Sequence, residues 1–67
     1  MKLTNVMPTK GNFIAVWQNE YNGFESEKWC VDENGVIKYW DSQDGWCVVD
    51  LEGEFYSNLQ IQFVVGD

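Results

Sequence analysis

The chain predicts an all-β fold, a single antiparallel meander of five strands that forms a strongly bent sheet or a small barrel of SH3-like or OB-like size. Three observations point there. β-Branched and aromatic residues dominate, and no window of about 11 residues or more repeats its apolar residues at helical spacing. Turn signals recur at short intervals, at Pro8 to Gly11, Asn22-Gly23, Asn34-Gly35, Asp44-Gly45 and Gly53. The stretch "SNLQIQFVV" alternates cleanly, with Leu59, Ile61, Phe63 and Val65 on one side and Gln60 and Gln62 on the other.

The opening "MKLTNV" reads as a short edge strand before Pro8. The first hairpin joins "FIAVWQNEY" to "FESEKWCVD" through Asn22-Gly23, the preferred pair for a two-residue type I′ turn. That register pairs Tyr21 with Phe24, Val16 with Trp29, and Ile14 with Val31, and the last two pairs match apolar residues across the strands. In "DENGV", a two-residue turn at Asn34-Gly35 would put Lys38 on the face of Trp29 and Val31. A three-residue loop, Glu33 to Gly35, with Gly35 left-handed in a bulge, puts Ile37 and Tyr39 there instead. Burying an unpaired lysine is costly, so the bulged loop is expected. "DSQDG" closes the third hairpin, "WCVVDLE" is the fourth strand, and "SNLQIQFVV" is the fifth.

In this register the second face is apolar too, carrying Phe13, Ala15, Trp17, Cys30, Trp40, Cys47, Val49 and Leu51. A sheet that is apolar on both faces needs cover on both, and no helix is expected to provide it. Barrel closure or a second molecule would then fill the role.

Residues 1–67 make one small β domain. A chain this short buries only about 60% of the surface its unfolded form exposes. Four Trp, three Tyr and four Phe supply its core. The segment "WCVDENGVIKYWDSQDGWCVVD" holds Trp-Cys twice, at Trp29-Cys30 and Trp46-Cys47. With one strand between them, the cysteine backbones would lie roughly 10 Å apart, beyond the ~7 Å that a disulfide spans. The chain has no His and no C-x-x-C, so zinc has no ligand set. The cysteines read as small buried hydrophobes on two similar inner strands.

Other chemistry fails on the same grounds. A nucleophile activated by His is impossible, no Gly-rich phosphate loop exists, and "DSQDGW" does not fit a calcium loop. Carboxylates are plentiful, but 67 residues leave little room for a water-excluding cleft. A non-enzymatic protein without cofactor is expected. No signal peptide and no apolar run of about 18 residues is visible, which predicts a cytoplasmic protein with reduced thiols.

Eleven Asp and Glu against four Lys give a formal charge of −7. Such a chain has almost no cations with which to displace phosphate counterions, so direct contact with nucleic acid or an anionic membrane is not expected. The acids keep an aromatic-rich domain soluble, or they face a basic partner. The register sets Trp17, Lys28 and Trp40 side by side on the second face. Glu20, Glu25, Glu27, Asp41 and Asp44 surround them at the hairpin ends. Aromatic anchors within an acidic rim suit a protein-binding surface.

The segment "MPTKGNFIAVW", Met7 to Trp17, resembles the start of short acidic proteins of unknown function encoded by tailed bacteriophages and prophages. The resemblance covers about a third of the chain and carries no site over residue by residue. It implies a viral accessory protein, acting in the host cytoplasm, that binds and blocks a host protein. Some such proteins are inhibitors that present acids where DNA would lie, as a DNA mimic does to a nucleic-acid-handling or defence enzyme. The alternative is a self-associating structural or assembly protein of a virion or complex, with the monomer or homodimer state as the distinguishing property.

Overall fold

The computed structural model describes residues 2–66. Six strands, β1 (Lys2–Thr4), β2 (Gly11–Gln18), β3 (Phe24–Val31), β4 (Ile37–Asp41), β5 (Gly45–Val48) and β6 (Gln62–Val65), form one sheet, and a single helical turn, α1 (Glu54–Ser57), precedes β6. The order across the sheet is β1-β6-β2-β3-β4-β5, every pair antiparallel. The fold is therefore mostly β, but two expectations need correction. The sheet has six strands, and it is not a simple meander, because β6 crosses from the β5 edge to insert between β1 and β2. With β1 and β5 left as edges, it is open, not a closed SH3-like or OB-like barrel.

The first hairpin differs most from the sequence reading. Gln18 pairs with Phe24, Phe13 with Trp29 and Gly11 with Val31, three residues away from the expected register. Asn19, not the Asn22-Gly23 pair, organises the turn. Its side-chain Oδ1 accepts from the backbone N–H of Tyr21 at 2.9 Å and of Gly23 at 3.0 Å, and its own N–H donates to the Gly23 carbonyl at 2.8 Å. Asn22 takes the left-handed conformation, φ 66°, inside this longer loop. An odd shift flips one strand's side chains relative to its partner. Phe13, Ala15 and Trp17 therefore share a face with Trp29 and Val31. Aromatic rings bury more area than the Ile14 and Val16 they displace from that face.

The second hairpin follows the bulged reading. Trp29 pairs with Tyr39 and Val31 with Ile37. Asp32 N–H donates to the Val36 carbonyl at 3.1 Å, and Gly35 is left-handed at φ 80°. "DSQDG" closes the third hairpin, with Asp41 opposite Gly45. From Val49 the chain leaves the sheet, turns at Asp50–Gly53 and runs over one face through α1 to β6.

That crossing segment is the cover the sequence reading lacked. Phe13, Ala15, Trp17, Trp29, Val31, Val49 and Phe63 form the buried core, with Ile37, Tyr39, Tyr56, Leu59, Ile61 and Val65 packed against it. Its rings meet edge to face: Phe13 with Phe63 at 5.7 Å, Trp29 with Tyr56 at 5.4 Å, Trp17 with Tyr56 at 6.1 Å. Of the expected alternation, Phe63 and Val65 form the core side of β6, while Leu59 and Ile61 pack against the same core from the segment before it, so the last strand is shorter than the sequence predicts. The opposite face of the sheet has no covering segment among the described residues.

Candidate functional site: the open sheet face

The register places the residues of the uncovered face directly. Leu3 lies opposite Val64, Val64 opposite Ile14, and Ile14 opposite Lys28. Continuing the Cys30–Lys38 register by two residues sets Lys28 opposite Trp40, which pairs with Trp46. One row thus crosses all six strands, aliphatic at the β1 end and aromatic at the β5 end, with Lys28 between. Trp40 and Trp46 meet edge to face at 5.3 Å and stay 46% and 42% exposed. Indoles this large are seldom left half in water on a small domain without a role.

The face is also grooved. Asn12, Ile14, Lys28, Trp46 and Val64 line a mainly apolar depression of about 500 Å³. Trp46 on β5 and Val64 on β6 reach it together although three strands separate them. The depression therefore runs along the row, from the β6 side of the face to the β5 edge.

Charge divides between the two faces. Glu25, Glu27 and Asp41 are the carboxylates within the strands, and all three lie on the covered face, opposite Trp17, Ala15 and Gly45 respectively. The strand residues of the open face carry none, and they include Lys28 and Lys38. Lys38 reaches Asp32 in the β3–β4 loop at 3.3 Å.

The expected site residues separate accordingly. Lys28 and Trp40 do share the open face. Trp17 does not: it is 4% exposed in the core, with the Phe55 ring 6.0 Å away. Glu27 is not part of a rim either. Its Oε1 accepts from Trp29 Nε1 and from the Tyr56 hydroxyl, each at 2.9 Å, which ties the crossing segment to the core. Burial, with the Glu27 carboxylate beside it, holds the Tyr56 phenol well above its ordinary value. The other four acids lie toward one end of the sheet, Glu25 and Asp41 among them on the covered face, away from Lys28 and Trp40. The β2–β3 and β4–β5 loops lie at the same end of the sheet, so Glu20, Glu25, Asp41 and Asp44 gather at that end. Asp41 is partly engaged there, its Oδ1 accepting from Gln43 N–H at 2.7 Å.

Trp46 is the residue the sequence reading passed over. Its signal was present, because the loop that sets Asp41 opposite Gly45 necessarily sets Trp40 opposite Trp46. Cys30 and Cys47 fall on opposite faces with β4 between their strands, both free. Among the described residues no cluster of His, Cys, Asp or Glu could hold a metal ion, and no helix is long and apolar enough to cross a membrane. Comparison with protein-family models, with curated proteins and with solved structures finds no match.

Proposed function

We propose that the protein is a non-enzymatic binding module that recognises a partner protein through its open sheet face. The observation that carries this reading is the half-exposed Trp40–Trp46 pair beside an apolar groove, on a face whose strand residues bear no carboxylate. Paired indoles are efficient anchors, because each presents a large rigid area with few rotatable bonds to freeze. The groove beside them offers apolar walls and one ammonium, Lys28, to a complementary surface. On this reading the acids do not touch the anchors; they keep an aromatic-rich domain soluble.

A second reading rests on the gathering of Glu20, Glu25, Asp41 and Asp44 at one end of the sheet. That end suits a basic surface, such as the nucleic-acid site of a host enzyme, and fits an inhibitory viral accessory protein. Two variants separate the readings. One replaces Trp40 and Trp46 by Ser; the other replaces Glu20 and Glu25 by Gln and Asp41 and Asp44 by Asn. The immobilised chain is used to capture a binding protein, and each variant is then tested for retention of it. Loss with the tryptophan variant alone supports face recognition, and loss with the carboxylate variant alone supports the acidic end. A partner indifferent to both overturns both.

A further inference from the structure

We infer that the occupant of the open face is a second copy of this chain, joined face to face about a two-fold axis parallel to the strands. The inference rests on the open face being the recognition surface, and three observations select this occupant.

The first is surface area. A compact monomer of 7.8 kDa exposes about 4,400 Å² by the scaling of surface with mass, whereas this chain exposes 5230 Å². The excess, roughly 800 Å², is about what each partner contributes to a standard interface. The radius of gyration agrees: 11.8 Å, against about 10.9 Å for a compact domain of this length.

The second is self-complementarity. An isologous interface requires that residue i meet j and j meet i. The row across the face has an aliphatic half, Leu3, Val64 and Ile14, and an aromatic half, Trp40 and Trp46. A two-fold axis running between β2 and β3 reverses the row. It lays each copy's indoles over the other's aliphatic half and delivers Trp40 toward the groove walled by Ile14 and Val64. Lys28 of each copy then borders the indole entering its groove, an arrangement that favours a cation over a ring face. The two lysines stay on opposite sides of the axis.

The third is charge. Two molecules of formal charge −7 repel, and they can close only through a surface that keeps carboxylates apart. With Glu25, Glu27 and Asp41 on the covered side, the open face is that surface. A strongly basic partner would instead be drawn to the acidic end.

The test is the mass of the full chain in solution, followed over a concentration series by sedimentation equilibrium. The wild type is expected to approach twice the chain mass as concentration rises. Trp40→Ala and Trp46→Ala should each raise the dissociation constant about tenfold or more. Lys28→Glu, an exposed change that cannot disturb the core, should weaken the dimer by adding acid to the face. Tyr21→Ser, in the β2–β3 loop at 83% exposure, should leave it unchanged. A chain that stays monomeric throughout, or a dimer indifferent to Trp40→Ala, Trp46→Ala and Lys28→Glu alike, overturns the inference. The broader reading fails separately: a monomer that holds a different protein through Trp40 and Trp46 keeps face recognition and loses only the second copy.

Discussion

Glu27 shows how one side chain can take a different role from the one its type suggests. In an acidic chain it reads as one more surface charge, yet its carboxylate accepts from both Trp29 Nε1 and the Tyr56 hydroxyl. Tyr56→Phe removes one of these bonds and leaves the other, so it should cost about 1 kcal/mol, measured by denaturant unfolding. The same variant should change the alkaline limb of stability. An unfolded chain releases the Tyr56 proton near the ordinary phenol value of about 10, while the folded chain holds it to higher pH. The unfolded state thus binds fewer protons, and stability falls as pH climbs above about 10. Tyr56→Phe should flatten that fall. An identical slope in both proteins would show that Tyr56 is not responsible. Asp32 works at the opposite end of the scale. The Val36 N–H bond chiefly, with the Asn34 N–H bond and Lys38, holds its carboxyl below the usual range. Its contribution is complete above the unfolded value and lost as pH falls through the folded one. Asp32→Ala should therefore lower the melting temperature near neutrality and reduce its further drop in acid.

At the level of elements, the turns determine which residues face which way. Gly35 and Gly45 close the second and third hairpins at φ 80° and 76°, and a Cβ at Gly35 would meet no atom within 4 Å. Gly35→Ala should therefore cost only the conformational penalty of the left-handed region, about 1–2 kcal/mol, while Gly35→Asn recovers part of it. Thermal melts of the two variants make the comparison, and an Ala variant as stable as wild type would contradict the bulged-loop geometry. These two hairpins were legible in the sequence because each turn is built from residues adjacent to its glycine. The first was not, because Asn19 competes with Asn22-Gly23 for the turn. The Asn19 side chain offers the backbone two hydrogen bonds, which a two-residue turn there would forgo. Trp17 was misplaced through that three-residue slip, and the expected cluster of Trp17, Lys28 and Trp40 with it. The crossing segment was illegible for another reason. Its one-turn helix has no periodicity to detect, and its place over the core depends on Phe55 and Tyr56 meeting Trp17, a contact between distant parts of the chain.

For the whole molecule, what matters is the separation of charge from exposed aromatic surface, and the sign of the salt response reports on it. Two copies of formal charge −7 brought face to face lie roughly as far apart as the molecule's 22 Å shortest extent. Treated as point charges in water, they repel by about 9 kcal/mol before screening. A Debye length of ~30 Å at 0.01 M salt leaves nearly half of this, and ~8 Å at 0.15 M leaves less than a tenth. Because the repulsion comes from acids remote from the contact, added salt relieves it without weakening the apolar contact itself. Face-to-face association should therefore strengthen between 0.01 and 0.15 M salt, by at most about 4 kcal/mol on this point-charge bound. Binding of a basic partner at the acidic end should weaken over the same range, because attraction between exposed charges is what salt removes. Neutralising Glu20, Glu25, Asp41 and Asp44 together should likewise tighten the dimer at low salt and weaken a basic partner's grip. Sedimentation at the two salt concentrations, with and without the four substitutions, reads both effects. A dimer that loosens as salt rises would mean that opposite charges meet across its interface, and the carboxylate-free face could not then be what joins the copies.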